Sequence, residues 1–418
     1  MEKHRVVITG LGILAPNGNS VDEFWASNIK GRSGIAVLER FDRDLVKVRI
    51  AGEIKKFEPE NFMDKRTVRK VDRFAHLGIA ASGQAVKNSG LNGQISQSRT
   101  GVIIGTGMGN LVYHEDLIME FTNSLKKKTE WIPSSTIPRG APNSVTSYIA
   151  MMFSIKGPNL ALSTACSSGT NAIGLAFQML RGGLLDICIT GGVEAPLSPV
   201  TFAGYQNLRV LSRREGDPAK ASRPFDKERD GFVISEGAAT LILETEEHAI
   251  KRGADIWAEI SGFGTNCGAF DMVMPDPEGN DAAEAMKIAL GDACLHISDI
   301  DYINAHGTST LLNDVAETKA IKKVFEARAH DIPISATKSM IGHSIGAAGA
   351  IEALVCALAV KNQEIPPTIN YENKDPDCDL DYVPNYSRKI HLRHAMSNSF
   401  GFGSNNAVLI ISSYGKSA

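Results

Sequence analysis

Short runs rich in valine and isoleucine alternate along this chain with alanine-rich stretches whose apolar residues recur at helical spacing. Arg5 to Thr9, Gly101 to Ile104, Ile187 to Thr190, Ala239 to Glu244, Ile300 to Ile303 and Ala407 to Ser412 read as strands, and their continuous apolar character suits strands covered on both faces. Leu175 to Arg181 and Ile351 to Val360 read as helices. The alternation predicts α/β layers around buried sheets. After the charged stretch Glu246, Glu247, His248, Lys251 and Arg252, residues Ala258 to Gly264 reopen a strand-and-glycine pattern like that of Val6 to Gly12. This repetition predicts a division into 1–254 and 255–418, with insertions in the first half.

Composition narrows the function. The chain has 418 residues, 43% hydrophobic and 22% charged, the profile of a globular protein with room for more than one unit. Lys plus Arg is 44 against 47 Asp plus Glu, a net charge of −3, so no global charge draws it to nucleic acid or to an anionic membrane. The longest uninterrupted apolar run, Ala353 to Val360, is far shorter than the ~20 residues of a membrane span. Lys3, His4 and Arg5 before an apolar segment imitate a signal peptide, but Pro16-Asn17-Gly18-Asn19 offers no small-x-small cleavage site, and a cytoplasmic protein is expected. Six cysteines without a Cys-x-x-Cys pair predict mostly buried free thiols rather than disulfides or zinc. No His-x-x-x-His pair suggests a metal site, and none is expected. Gly10-Leu11-Gly12 and Gly105-Thr106-Gly107-Met108-Gly109 lack the spacing of a dinucleotide fingerprint and read as structural turns.

Three segments carry candidate chemistry. In Ser163 to Gly174 a cysteine, Cys166, stands among small residues at the mouth of a helix, where the helix dipole and free N–H groups favour a thiolate and an oxyanion. Taken alone, a cysteine in such a segment is more often a small packing residue than a nucleophile. Ile300 to Ala305 ends in His306-Gly307-Thr308-Ser309-Thr310, which puts an imidazole at the carboxyl edge of a sheet, where α/β proteins bind ligands. Lys338 precedes His343 by five residues in a glycine-rich approach to an apolar helix. Packing explains Ala347 to Gly349 but neither Lys338 nor His343.

Together TACSSGTNA around Cys166, NAHGTST around His306 and TKSMIGHSIGAAGA around Lys338 and His343 resemble the elongating β-ketoacyl-acyl carrier protein synthases, nearest the type II branch. VVITGLGILAPNG, ASRPFDKERDGFVISEGA, IPPTINYENKDPDCDLDYVPN and SNSFGFGSNN extend the resemblance over essentially the whole chain. It implies a thiolase-like fold, two duplicated halves in a five-layered αβαβα sandwich, and a dimer. It also implies that Cys166 takes an acyl chain from an acyl carrier protein, with its thioester oxygen held by the N–H groups of Cys166 and Phe402. His306 and His343 then stabilise the enolate formed as malonyl-carrier protein loses carbon dioxide.

By the same resemblance, Lys338 sets the electrostatics around the histidines, with Glu317 as its acidic partner and Asp314 near the same turn. Thr308 and Thr310 bind the phosphopantetheine arm that delivers substrates, no cofactor being bound; Phe402 gates the site, and Met108 controls the acyl pocket. Carrier proteins of this class are acidic, so Lys65, Arg66, Arg69, Lys70, the run Lys126, Lys127, Lys128, and Arg209 are the expected landing patch. The chain departs from the family at Gly401-Phe402-Gly403-Ser404-Asn405-Asn406, at Val273 and at Met108, positions that bear on substrate preference. A polyketide or polyene ketosynthase in a heterodimer with a chain-length factor is the rival reading. A non-catalytic partner subunit is disfavoured because Cys166 is retained.

Overall fold

The computed structural model describes residues 3–91, 95–123 and 132–415. Ten strands form one continuous sheet: β1 (Val6–Leu14), β2 (Thr100–Gly105), β3 (Asn159–Leu162), β4 (Ile187–Glu194), β5 (Gly237–Thr245), β6 (Ala258–Cys267), β7 (Tyr302–Asn304), β8 (Ile334–Ser335), β9 (His394–Gly401) and β10 (Asn405–Ser412). The helices that matter for the site are α1 (Lys65–Lys70), α2 (Arg73–Ser89), α3 (Leu111–Asn123), α4 (Ser144–Phe153), α5 (Ser168–Arg181), α6 (Pro199–Asn207), α7 (Asn280–Ala293), α8 (Leu311–Phe325) and α9 (Ala348–Asn362).

The strand order is β3-β2-β4-β5-β1-β6-β10-β9-β7-β8. Outward from the β1–β6 seam, both halves therefore repeat one pattern. In each, the first two neighbour pairs are antiparallel and the outer two are parallel. The seam is short, Val6 to Ile8 against Ile260 to Ala258. Helices α5 and α9 pack on each other and between the two half-sheets, α2 and α4 cover the outside of one, and α7 and α8 the outside of the other. That gives five layers, helix, sheet, helix pair, sheet, helix, the α/β sandwich expected.

Every residue of β1, β4 and β5 is buried, which is why these strands lack polar alternation. Gly10 and Gly12, expected in a turn, lie inside β1 instead. A Cβ at Gly12 would stand 2.0 Å from the Ala81 oxygen, and one at Gly10 2.3 Å from the Ala85 oxygen, so the glycines let α2 press directly on the strand. Residues 345–362 are long and apolar enough to cross a membrane, yet 89% of that stretch is buried inside the fold as the core helix α9 and its lead-in.

Candidate active site

Cys166, His306, Lys338 and His343 all follow the carboxyl ends of parallel strands, β3, β7 and β8, as side chains at a sheet edge can. Between β3 and α5, Ala165 adopts φ +51°, a left-handed conformation unusual for a residue with a Cβ. The turn is tied down by Ser168, whose hydroxyl accepts from the Thr164 N–H at 2.8 Å and donates to the Ala165 oxygen at 2.6 Å. Cys166 is thereby lifted to the mouth of α5.

The Cys166 sulfur lies 3.2 Å from His343 Nε2. The His306 and His343 rings meet edge to face at 5.4 Å, and the Phe232 ring also meets His343 edge to face, at 5.1 Å. Burial, then the Lys338 charge, holds both imidazoles well below the usual histidine range, so both are neutral near pH 7. Burial also pushes the Cys166 thiol up to about 12, against the lowering effects of Lys338 and of the Phe402 N–H directed at the sulfur. The thiolate expected from the helix mouth is thus not the resting state: loss of water outweighs the dipole.

Lys338 Nζ donates to the His306 carbonyl at 2.7 Å and lies 3.5 Å from His306 Nδ1. Its acidic partner is Glu352 of α9, not Glu317. Glu317 instead accepts from the N–H groups of His306 and Gly307, both at 2.8 Å, and from Asn398 at 3.0 Å. Asp314 accepts from the N–H groups of Phe225 at 2.8 Å and Thr308 at 3.1 Å. Both carboxylates are buried in the first turns of α8 and hold the 305–309 loop. One signal for Glu352 was present in the sequence: it is the one acidic residue in a helix whose only other charge, Lys361, lies in the last turn, and a carboxylate inside an apolar run requires a partner.

A cavity of about 420 Å³ leads to this group. Cys166, His306, His343, Thr308, Thr310 and Phe402 all border it. The Thr308 and Thr310 hydroxyls are 2.9 Å apart. Met108 does not border the cavity; its sulfur lies 4.0 Å from the hydroxyl of Tyr205, which does, and whose ring is 6.4 Å from that of Phe402. Tyr205 and Glu194 went unnoticed in the sequence. Glu194, fully buried at the end of β4, accepts from the N–H groups of Gly107, Met108 and Gly346 and so joins the loop after β2 to the lead-in of α9.

Arg209 is exposed at the cavity's edge. Lys65, Arg66, Arg69 and Lys70 are exposed on α1 with no ion pair among the described residues. Lys126, Lys127 and Lys128 lie outside the described residues.

The duplicated sheet with its central helix pair is that of a thiolase-like acyltransferase. The chain belongs to the β-ketoacyl synthase family: residues 3–249 match the family's N-terminal domain and residues 257–372 its C-terminal domain. It is 43% identical over 415 residues, covering 99% of both chains, to a 3-oxoacyl-[acyl-carrier-protein] synthase 2 of Synechocystis, and 43% identical over 413 residues, again 99% of both, to that of Coxiella burnetii. Among solved structures it is similar to a type II PKS ketosynthase bound to a hexaketide and in complex with its acyl-carrier protein, with a TM-score of 0.92 and 35% identity over 99% of this chain and 100% of that one. The ishigamide ketosynthase/chain length factor matches at a TM-score of 0.93 and 34% identity, with the same coverage.

Proposed function

We propose that this chain joins an acyl group held on Cys166 to malonyl-acyl carrier protein, with loss of carbon dioxide, and so lengthens the chain by two carbons in fatty-acid elongation. The observation that carries this reading is the contact of Cys166 Sγ with His343 Nε2 beside the neutral His306 ring, at the end of a cavity. In the first step the Cys166 sulfur attacks the thioester carbonyl of an acyl-carrier protein. Its proton goes to the departing phosphopantetheine sulfur, His343 keeps its Nε2–H, and the N–H groups of Cys166 and Phe402 hold the oxyanion.

In the second step malonyl-carrier protein occupies the same channel, its arm against Thr308 and Thr310. Carbon dioxide leaves, and the electron pair it leaves behind is held as an enolate whose oxygen takes hydrogen bonds from His306 and His343. Neutral imidazoles suit this role because they donate a hydrogen bond without carrying a charge into a buried site. The enolate carbon attacks the acyl-Cys166 carbonyl, the bond from that carbon to the Cys166 sulfur breaks as the 3-oxoacyl thioester forms, and the freed thiolate takes a proton from water. Lys338, through the His306 carbonyl, positions that imidazole. Arg209 and the α1 cations receive the acidic carrier protein.

A dimer is part of this reading. The outer edge of β3 ends the sheet, Leu160 on it is exposed, and so are Met151 and Met152 on the neighbouring α4, features that a second subunit would cover. The six unpaired thiols suit a cytoplasmic setting. The likeness to two polyketide-type ketosynthases favours one alternative, a ketosynthase working beside a chain-length factor. Intact-mass analysis separates them. Loading of Cys166 from saturated acyl-carrier protein and elongation without a second subunit supports the fatty-acid reading; loading only by conjugated chains, or only with an added partner, supports the alternative.

A further inference from the structure

Glu194 is a fully buried carboxyl group with no part in the condensation described above. Burial of such a group is costly unless donors surround it, and its two oxygens divide theirs unequally. Oε1 accepts from the Thr106 hydroxyl at 3.0 Å and from the Met108 N–H at 3.1 Å, both in the loop after β2. Oε2 accepts from the Gly107 N–H of the same loop at 2.6 Å and from the Gly346 N–H, in the lead-in of α9, at 3.0 Å. One oxygen atom therefore bridges two segments remote in the chain.

Each segment leads to the site. The loop after β2 is tied to the Cys166 turn, because the Ser168 hydroxyl that donates to the Ala165 oxygen also lies 3.1 Å from the Thr106 oxygen, and the Ser163 hydroxyl donates to the Gly107 oxygen at 3.3 Å. On the other side, Gly346 follows Ile345, whose φ of +44° is a left-handed conformation that a β-branched residue rarely takes. Strain of this kind persists only where the surroundings over-determine it. Ile345 borders the cavity and shares a buried apolar cluster with Cys166. The contact is close: a Cβ at Gly346 would stand 2.2 Å from the Gly107 nitrogen, and one at Gly107 2.9 Å from Ile345 Cγ2. His343, two residues before Ile345, is anchored from its far side, its N–H on the Val233 oxygen at 2.7 Å and its oxygen on the Ser235 N–H at 3.0 Å. Continuous contacts thus run from the Cys166 turn through Thr106 and Gly107 to Glu194, and on through Gly346 and Ile345 to His343.

We propose that Glu194 is a positioning residue whose Oε2 sets Cys166 and His343 in register, by holding the strained Ile345–Gly346 turn against the loop after β2. The inference rests on the condensation reading above and adds to it the group that aligns the two halves of the site. The bridge depends on reach rather than on charge. An aspartate, one methylene shorter, does not meet Gly107 and Gly346 together. A glutamine with its amide oxygen in the place of Oε2 still accepts from both and gives up only the Met108 N–H.

The test separates three steps, each measured per folded enzyme. Acylation of Cys166 draws on the first crossover, decarboxylation of malonyl-carrier protein by unacylated enzyme draws on the imidazoles, and condensation from preloaded acyl-Cys166 needs the two in register. Glu194→Asp should lower single-turnover condensation by about 10- to 100-fold while the other two steps stay within about threefold of wild type. Glu194→Gln should restore condensation to within about threefold of wild type. A purely structural role lowers all three steps by one factor and does not produce this split. Condensation by Glu194→Asp at the wild-type rate, or equal loss of all three steps, would overturn the assignment. So would a Glu194→Gln variant as impaired in condensation as Glu194→Asp, because charge and not reach would then be at work. A wild type that loads Cys166 but forms no 3-oxoacyl product would overturn the condensation reading itself, an outcome distinct from these.

Discussion

In the first half of the molecule the chain leaves edge strand β3 and turns through residues 163–167 into α5, setting Cys166 on the turn; in the second half it leaves edge strand β8 and takes residues 336–347 to reach α9, setting Lys338 and His343 on the way. The two crossovers hold the same place in the repeated strand order. Their helices meet at their starts. A Cβ at Gly169 would stand 2.8 Å from the Ala350 nitrogen, and one at Gly349 would fall on the Thr170 hydroxyl, so each helix start places a glycine against the other helix. The helices differ in burial, because α9 is buried from Ala348 to Val360 whereas α5 keeps a partly exposed flank at Asn171, Gln178 and Arg181. Repetition thus supplies one location twice. The short crossover presents a sulfur there, and the longer one has room for a charge and an imidazole.

The division of labour between the crossovers can be broken at its first member. Cys166→Ala should reduce acyl transfer and condensation by at least about 10³-fold with the melting temperature unchanged, checked by intact mass and by product formation. Full condensation by that variant would remove the nucleophile from the first crossover. The second crossover is tested by His343→Ala, with His306→Ala beside it. Each should lower malonyl decarboxylation by about 10²- to 10³-fold while some acylation of Cys166 survives. If both variants decarboxylate malonyl-carrier protein normally, the imidazoles do not hold the enolate.

Stability separates the two carboxylates near Lys338. Glu352→Gln leaves a buried ammonium without its counter-charge and should destabilise the fold by about 3–5 kcal/mol. Glu317→Gln turns one of two accepting oxygens into an amide donor, leaving at least one of the N–H groups of His306, Gly307 and Asn398 unpaired, and should cost about 1–3 kcal/mol. Chemical denaturation of both variants ranks them, and the reverse order would return Glu317 to the role of Lys338's partner. Gly349→Ala forces α5 and α9 apart and should destabilise by about 1–3 kcal/mol, read as a lower denaturation midpoint with an unchanged slope.

The smallest effect is on pH dependence. His306 and His343 stay neutral in the fold, whereas in the unfolded chain they bind protons below about 6.5. Their contribution to stability is therefore present above that pH and lost as pH falls below it. Glu194, Glu317 and Glu352, raised by burial to about 7, act in the opposite sense, because the folded state takes up their protons between about 7 and 4.5 while the unfolded chain does not. Replacing His306 with Asn removes one histidine from this balance. The variant should lose less stability than the wild type between pH 6.5 and 5, by no more than about 2 kcal/mol; a greater loss would reverse the sign assigned to His306.

Much of the fold was legible because its strands are apolar throughout. All six segments read as strands overlap β1, β2, β4, β5, β7 and β10. β8 passed unread because two residues carry no period, and β9 because His394 to Gly401 mixes serine and asparagine into a buried strand. Their polar side chains are buried near the site, a tertiary demand with no local signature. Gly10 and Gly12 show the same limit, since a glycine that admits a helix looks in sequence like a glycine that turns the chain.

The sequence by itself determined the layered α/β architecture, the family, and the three segments that carry Cys166, His306, Lys338 and His343, because apolar runs and reactive side chains in fixed local settings are written residue by residue. Only the tertiary structure decided that Lys338 pairs with Glu352, that Glu317 and Asp314 hold a loop, that Met108 stands behind Tyr205 outside the cavity lining, and that Cys166 rests as a thiol. These depend on which groups burial brings together and on how completely water is excluded from them, and both are properties of the packed whole.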